Sequence, residues 1–320
     1  MRPAASGKRI ELTERDLAIF RLLSRYRYLR STHLHAFVGG KSYKRFIERL
    51  GHLFHEGGYL NRPQQQWQAI NARYAPAVYE LGERGWDIVR EQGLDQAPLK
   101  SRKNGQRVIR QYQHELMICD VVSAIEFGIR DNPNLRFIAW PEILQSPKMP
   151  VSSRDCPNPL AMPVSVSYAC PQTKNFYRSD KPLIPDAVFG IEYNSIGHKQ
   201  YRFFALEADR NTEPVTRGNL EQSSYLRKIL QYREIAARSL YKTQWGLPNL
   251  LVLSVTVNDR HMQNLMQLVD ELTAGKGSSY LLFKTMPSLS SLEKAPAAAS
   301  DMLTGAWQRV GLGPFCIDRV

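Results

Sequence analysis

The sequence predicts a mixed α and β protein, of the α+β or α/β class, in two parts. Its excess positive charge is concentrated in the first 110 residues, which hold 21 Lys and Arg against 10 Asp and Glu. In that region apolar residues recur at helical spacing between capping residues and glycine pairs. Beyond it, short β-branched and aromatic runs alternate with helical patterns, which indicates a domain built on a mixed sheet. We therefore expect a small basic unit followed by a larger α/β unit.

Three helices and a hairpin are predicted in the basic N-terminal unit. Thr13 and Asp16 have the spacing of a capping box at the start of the first helix, and Ser42 can cap the third. Two β-rich runs, at residues 59–62 and 78–81, flank a polar loop. Three helices followed by such a hairpin give the element order of a winged helix-turn-helix, with the loop as its wing.

The charge of this unit predicts contact with nucleic acid. The chain has a formal net charge of +13, nearly all of it N-terminal. A local basic surface favours DNA or RNA as the partner, and a helix-turn-helix lays the N-terminal residues of its third helix in the major groove. The plain alternative is a solvated charged face. The DNA-binding candidates are Lys41, Ser42, Lys44, Arg45 and Arg49 on the third helix, Arg62 and Arg73 around the wing, and Lys103 and Arg107 in a basic linker.

Three carboxylates lie at one end of a hairpin predicted over residues 183–213. Asp186 opens its first strand, and Glu207 and Asp209 end the second on a shared face, because side chains alternate along a strand. Such a cluster repels itself unless a cation lies within it. Oxygen ligands suit Mg²⁺ or Mn²⁺, so Asp186, Glu207 and Asp209 are the predicted metal ligands. Alternatively, the acids are solvated or paired with a neighbour such as Arg210.

The Pro-Asp pair followed by a strand that ends in Glu207 resembles the core of the PD-(D/E)xK nuclease superfamily. This resemblance implies a restriction-endonuclease-like mixed sheet whose two acids hold a metal ion that activates water against a phosphodiester. The superfamily places a lysine two residues after the second acid, where this sequence has Asp209. A nuclease of this kind would therefore need its lysine from another part of the chain.

Lys228 is the predicted replacement. It falls on a helix predicted over residues 216–240, at helical spacing from Tyr225 and Tyr232, so its side chain can reach back toward the acids. Glu115, on the helix before the core strands, is a further acid that members of the superfamily often present to the metal. The candidate catalytic residues are Asp186, Glu207, Asp209, Lys228 and Glu115.

His33 and His35 have the His-hydrophobic-His spacing of rolling-circle relaxases. On a strand these two positions share a face, whereas on a helix they diverge by about 200°. Because the pair lies in a segment predicted to be helical, we do not expect it to bind a metal.

Several phrases of the chain together resemble the replication-relaxation proteins of plasmids and integrative elements. The resemblance spans residues 12–260, and it implies a role in plasmid DNA replication, relaxation or mobilisation on double-stranded DNA, beside a relaxase or a replication initiator. It leaves open whether the α/β domain is an active Mg-dependent endonuclease or nickase, or a DNA-binding accessory without catalysis. The phrases are ELTERDLAIFRLLSRYRYLRSTHLHAF, VYELGERG, IPDAVFG, FFALEADRNTEP and KILQYREI.

The expected domains follow from these motifs. They are residues 1–95, the winged helix-turn-helix; 96–110, the basic linker; 111–287, the PD-(D/E)xK-like α/β domain; and 288–320, a Ser/Ala/Pro-rich spacer and tail. No apolar run approaches membrane-spanning length, so we expect a cytoplasmic protein without a membrane partner. Four cysteines without a CxxC pair argue against a zinc ribbon or a secreted disulfide framework. A homodimer is a further expectation.

Overall fold

The computed structural model describes residues 10–68, 74–93, 109–170, 174–195, 198–217, 219–290, 295–298 and 300–319. The chain divides into two compact units. The first comprises residues 1–131 with 291–302, and the second comprises residues 132–290 with 303–320. No helix within the described ranges combines the length and apolar character needed to cross a bilayer.

Two of the helices described in the first unit begin after residues that the sequence marks as caps. The described helices are α1 Glu14–Tyr26, α2 Ser31–Val38, α3 Tyr43–His55, α4 Glu83–Glu91 and α5 Ile109–Arg130. The capping box of α1 is confirmed, since Thr13 Oγ1 accepts from the N–H of Asp16 and Asp16 Oδ2 accepts from the N–H of Thr13. Ser42 Oγ accepts from the N–H of Arg45 and caps α3, as predicted. Helix α4 was not predicted.

The first unit also contains a three-stranded antiparallel sheet. Its strands are β1 Leu29–Arg30, β2 Leu60–Asn61 and β3 Val78–Leu81, in the order β1-β3-β2. The predicted hairpin is confirmed by the pairing of β2 with β3, in which Leu60 faces Leu81. Strand β1 was not predicted; it pairs with the other side of β3 and leads directly into α2.

Helix α5 lies in a different unit from the one expected. The α/β domain was expected to begin at residue 111, but this helix belongs to the first unit and is buried along most of its length. Its Asp120 is fully buried and makes a bidentate pair with Arg30 of β1, with N···O distances of 2.9 and 3.1 Å. This largely buried helix is a core element of the first unit, and the division between the two compact units follows residue 131 and not residues 96–110.

The second unit is built on a seven-stranded mixed sheet. The strands described in the second unit, seven of which form this sheet, are β4 Leu135–Ile138, β5 Val166–Ala169, β6 Phe176–Ser179, β7 Ala187–Ser195, β8 His198–Asp209, β9 Leu251–Thr256, β10 Leu281–Thr285, β11 Trp307–Arg309 and β12 Leu312–Phe315. The order is β12-β11-β10-β9-β8-β7-β4, and β5 pairs with β6 in a separate hairpin. Strands β8, β9 and β10 run parallel, and the other pairs are antiparallel.

The second unit contains five α-helices among the described residues. They are α6 Trp140–Gln145, α7 Val151–Arg154, α8 Tyr225–Ala237, α9 Leu240–Trp245 and α10 Asp259–Leu272. Helix α8 connects β8 to β9 and α10 connects β9 to β10, so their buried apolar residues form the core against the sheet. The helix predicted from residue 216 begins later, because Ser224 caps it by accepting from the N–H of Arg227. Both crossovers bring helix N-termini to the carboxyl ends of strands, which is where α/β sheets bind ligands.

Candidate functional site

Asp186 and Glu207 lie side by side where the hairpin strands β7 and β8 meet. Ala187 pairs with Leu206, which places the preceding Asp186 opposite Glu207. The N–H of Asp186 donates to Leu206 O, and Asp186 Oδ2 accepts from the N–H of Ala208, each at 2.9 Å. Both carboxylates are buried. The structure therefore brings together two of the three acids predicted from the hairpin.

Lys228 reaches these acids from helix α8, as helical spacing predicted. Its Nζ lies 2.8 Å from Glu207 Oε2 and 2.8 Å from Glu213 Oε2. Tyr232, one turn further along the helix, donates its hydroxyl to Glu207 Oε1 at 2.6 Å. Tyr225, on the preceding turn, contacts Ser254 of β9 with a hydroxyl distance of 2.5 Å. One face of α8 thus supplies the cation and a hydroxyl donor to Glu207.

The electrostatics of this cluster favour a charged lysine. Burial alone would lower the pKa of Lys228, but the surrounding carboxylates, Glu207 first, outweigh it and hold that pKa well above its usual value. Burial raises the pKa of Glu207 and the charge of Asp186 adds to this, while Lys228 acts in the opposite direction. Lys228 is the counter-ion of a carboxylate pair that would otherwise repel itself.

Asp209 has a separate set of partners. Its Oδ2 lies 2.7 Å from Nε2 of His261, and its Oδ1 accepts from the backbone N–H groups of Thr212 and Glu213 at 3.1 and 3.4 Å. Burial works against the charged form, but His261 and the two N–H groups lower the pKa of Asp209 below its usual value. Both oxygens of Asp209 are therefore engaged by groups other than Lys228.

Sequence reasoning missed His261 and Glu213. His261 lies in the first turn of α10, where Asn258 caps the helix by accepting from the N–H of His261 at 2.8 Å. The sequence signal that could have identified His261 is Asn258, a capping residue that follows a buried strand. A helix capped there begins at the carboxyl edge of the sheet, close to the predicted acids. Glu213 was visible only as part of a family phrase, because nothing in the sequence indicates how its loop turns back.

Asp186 and Glu207 form a donor set that suits Mg²⁺ or Mn²⁺. Magnesium is commonly held by one or two carboxylates together with waters and substrate phosphates. Glu207 Oε2 is buried. It forms an ion pair with Lys228 but accepts no hydrogen bond. Asp209, the third predicted ligand, has both oxygens engaged by other groups. Within the described ranges, no group of three or more His, Cys, Asp or Glu side chains is arranged to hold a metal ion.

Glu115 lies in the first unit. Its Oε2 is 3.6 Å from Nε of Arg27, with which it forms an ion pair beside helix α1. Glu115 belongs to α5 and hence to the first unit, whereas the other four candidate catalytic residues belong to the second. The structure thus gives Glu115 a local ionic partner.

Helix α3 presents part of the predicted DNA-binding set. Lys41, Lys44 and Arg45 are exposed at its N-terminal end, and none has an acidic partner among the described residues. Ser42 is engaged as the N-cap. Arg49 faces α1, where it makes a bidentate pair with the capping-box acid Asp16 at 2.6 and 3.1 Å.

The remaining basic candidates have other placements. Arg62 donates to the hydroxyl of Tyr79 at 2.6 Å and its guanidinium lies over the rings of Phe54 and Tyr79, 4.7 and 4.9 Å from their centroids. It is therefore packed within the first unit. Arg73, Lys103 and Arg107 lie outside the described residues.

Comparison with known protein families gives one match. The model of the replication-relaxation family matches residues 20–250, which is more than half of the chain. The chain belongs to the replication-relaxation family. A search of curated proteins found no match, and a search of solved structures found none either.

Membership of the replication-relaxation family indicates a role in the replication or relaxation of plasmid or other mobile-element DNA. The matched range contains the α3 cations, Asp186, Glu207 and Lys228, and it ends before His261. The predicted resemblance is thereby confirmed at the level of the family.

Proposed function

We propose that the protein binds double-stranded DNA through its first unit, as a winged helix-turn-helix, and serves plasmid replication, relaxation or mobilisation as an accessory to a relaxase or initiator. The observation that carries this proposal is the exposed cationic end of α3, formed by Lys41, Lys44 and Arg45. The capped helix and the β2-β3 hairpin that follows it have the order of a recognition helix and wing. A cytoplasmic location and a homodimer remain predictions.

The charge balance of α3 supports this role. Its inward face is apolar, with Phe46, Leu50 and Leu53 buried. Arg49 neutralises Asp16, so the cations left for a partner lie at the N-terminal end, which a helix-turn-helix directs at the groove. Phosphate contacts from three such residues would release about three counterions.

Salt dependence of binding tests the proposal. Fluorescence anisotropy with a labelled duplex should give a log Kd that rises steeply with log salt. Replacement of Lys41, Lys44 and Arg45 by Ala should reduce the slope by about three. A control variant that loses the same charge from exposed positions of the second unit, Arg238→Ala/Lys242→Ala/Lys276→Ala, should keep the slope. An unchanged slope in the α3 variant would contradict the proposal.

A second candidate function is Mg-dependent cleavage of DNA by the second unit. It is favoured by the position of Lys228, 2.8 Å from Glu207 and on the following helix, since this restores the acid-and-lysine set that the sequence lacks at Asp209. Asp186 and Glu207 would hold the cation, which when bound would activate water and stabilise charge on the phosphate. Lys228 would bind a phosphate oxygen, and Tyr232 would orient Glu207 through its hydroxyl. The buried setting of these groups strengthens each charge interaction.

Supercoiled plasmid provides the test of cleavage. Incubation with Mg²⁺ or Mn²⁺ should yield nicked or linear plasmid, and EDTA should prevent it. The variants Asp186→Asn and Glu207→Gln should both lose this activity, whereas the exposed Asp270→Asn should retain it. Intact plasmid with normal duplex binding would reject the nuclease and leave the accessory role.

A further inference from the structure

Two large aromatic side chains are exposed to solvent in the wing, the connection between β2 and β3. Trp67 lies in a 3₁₀ turn of this connection, Gln64–Gln68, and Tyr74 lies shortly before β3. Trp67 is 48% exposed and Tyr74 is 75% exposed. Rings of this size contribute strongly to binding when a partner covers them. Two of them in one short connection indicate an interaction surface.

A buried glutamine holds the turn that carries Trp67. Gln66 Nε2 donates to Pro63 O and to Val78 O, each at 3.0 Å, and Gln66 Oε1 accepts from the N–H of Val78 at 2.9 Å. These three hydrogen bonds tie the turn to the first residue of β3. The backbone beside Trp67 is thus fixed before any partner arrives, which reduces the entropy lost on binding.

Trp67 differs from the exposed aromatic residue of α3. Tyr43 is 40% exposed, but its hydroxyl lies 2.9 Å from Ser31 Oγ and its ring lies 5.2 Å from that of His35. The indole of Trp67 makes no ring contact or hydrogen bond with any residue in the part of the chain that the structure describes. A planar partner can therefore pack against it without displacing an existing contact.

The surroundings of Trp67 suit a polyanion that carries bases. Residues 57–79 contain no Asp or Glu, so a phosphate backbone meets no acidic side chain of this segment. Gln64 and Gln68, at the two ends of the turn, are exposed. Side-chain amides pair with the edges of bases, and aromatic rings stack on their faces.

The wing is joined to the helix that carries the proposed DNA contacts. The guanidinium of Arg62 lies over the ring of Phe54 in the last part of α3 and over that of Tyr79 in β3. Trp67 and the cations of α3 thus belong to one packed unit. A DNA molecule held by α3 is therefore the partner that the composition and the connection of the wing favour.

We infer that Trp67 stacks on an unpaired nucleobase, so that the first unit prefers DNA with an opened segment over a fully paired duplex. This inference rests on the proposed DNA-binding function. In a duplex, both faces of a base are covered by its neighbours, and uncovering one costs free energy. A base that is already unpaired offers its face at no such cost. The wing would then hold a strand where the duplex has opened, a structure that replication and relaxation of DNA both produce.

Binding of the full-length protein to two labelled DNAs of equal length tests this preference. One is fully paired and the other has a central bubble of mismatched bases, and both are titrated in fluorescence anisotropy. The wild type should bind the bubble about tenfold more tightly, the effect of one base stacked on an aromatic ring. Trp67→Ala should lose this preference and bind the paired duplex like the wild type. Phe176→Ala, which removes a ring 69% exposed in the second unit, is the matched control and should keep it.

Two conservative variants separate stacking from apolar contact. Trp67→Phe keeps an aromatic face and should retain most of the preference for the bubble, whereas Trp67→Leu keeps only apolar bulk and should behave like Trp67→Ala. A fluorescent base analogue placed in the bubble reports stacking directly. Its emission should change on binding the wild type and Phe176→Ala, and it should stay unchanged with Trp67→Ala.

The inference and the proposed function can fail separately. Equal affinity of the wild type for both DNAs, or a bubble preference that survives in Trp67→Ala, would overturn the inference and leave duplex binding by α3 intact. A bubble preference retained in Trp67→Leu would replace stacking by apolar contact and likewise overturn it. A wild-type dimer that dissociates in Trp67→Ala, with DNA binding unchanged, would assign the ring to an interface between copies of this chain. Absence of binding to either DNA would overturn the proposed function together with the inference.

Discussion

Nε2 of His261 lies 2.7 Å from Oδ2 of Asp209 and joins the first turn of α10 to the end of strand β8. The two residues are 52 positions apart, and β9 with its preceding crossover separates them. This contact fixes the acid that stands where the PD-(D/E)xK pattern has lysine. Oδ2 of Asp209 is thereby directed toward α10.

Removal of His261 should destabilise the second unit. In His261→Ala, the buried carboxylate of Asp209 keeps its two backbone donors but loses the imidazole, so the free energy of unfolding should fall by about 1–3 kcal/mol. Urea unfolding of the full-length protein measures this. Arg260→Ala, an exposed neighbour in the same helical turn, should unfold like the wild type. Equal stability of both variants would show that the contact contributes nothing.

The part of the site that could be predicted from sequence rests on short-range periodicity. Strand alternation and a turn place Asp186 against Glu207, and helical spacing places Lys228 and Tyr232 on one face. Each of these relationships needs only a few residues and a regular backbone. The Lys228 contact was therefore predictable once the helix was recognised.

The rest of the site depends on contacts that no local period encodes. The position of Glu213 follows from a loop that turns around Asp209, and that of His261 follows from a complete crossover. The α/β domain was expected to begin at residue 111, whereas Asp120 of α5 is buried against Arg30 of β1 in the first unit. From the sequence alone, an acid such as Asp120 is expected to face solvent. Its burial becomes evident only from its partner Arg30, which is 90 positions away in the sequence.

Replacement of Arg49 and replacement of Lys44 should have different effects on stability and on DNA binding, although both residues are cations of α3. Arg49 pairs with the buried Asp16, so Arg49→Ala should lower the stability of the first unit by about 1.5–3 kcal/mol and leave the salt slope of duplex binding unchanged. Lys44 is exposed, so Lys44→Ala should leave stability unchanged and reduce the slope by about one. Hydrogen exchange of α1 peptides and anisotropy at several salt concentrations measure the two effects. A reduced slope in Arg49→Ala would mean that DNA competes with Asp16 for this arginine.

His33 should make the first unit less stable in mild acid. Burial lowers the pKa of His33 below 6.5, and the charge of Arg30 adds to this while Asp120 opposes it. Since the unfolded chain takes up the proton first, stability is fully present above about pH 6.5 and decreases by up to about 1.4 kcal/mol per unit as the pH falls toward the folded pKa. In His33→Gln this decrease should be absent. Hydrogen exchange of α2 peptides at pH 7.5 and 5.5 measures it, and the exposed His52→Gln should behave like the wild type. A pH dependence that persists in His33→Gln would assign it to another group.

Gly246 and Gly275 should respond differently to the same added methyl group. Both have left-handed backbone, with φ of +66° and +78°, which disfavours any residue with a Cβ atom by about 1–2 kcal/mol. A Cβ at Gly246 would also lie 2.0 Å from the carbonyl oxygen of Lys148, whereas one at Gly275 has no atom within 4 Å. The contact at Gly246 is with backbone, which cannot rotate away as a side chain can. Gly246→Ala should therefore lose several kcal/mol more than Gly275→Ala in urea unfolding. Equal losses would mean that the chain around Lys148 shifts at little cost, and that the packing of α9 against this segment is not fixed.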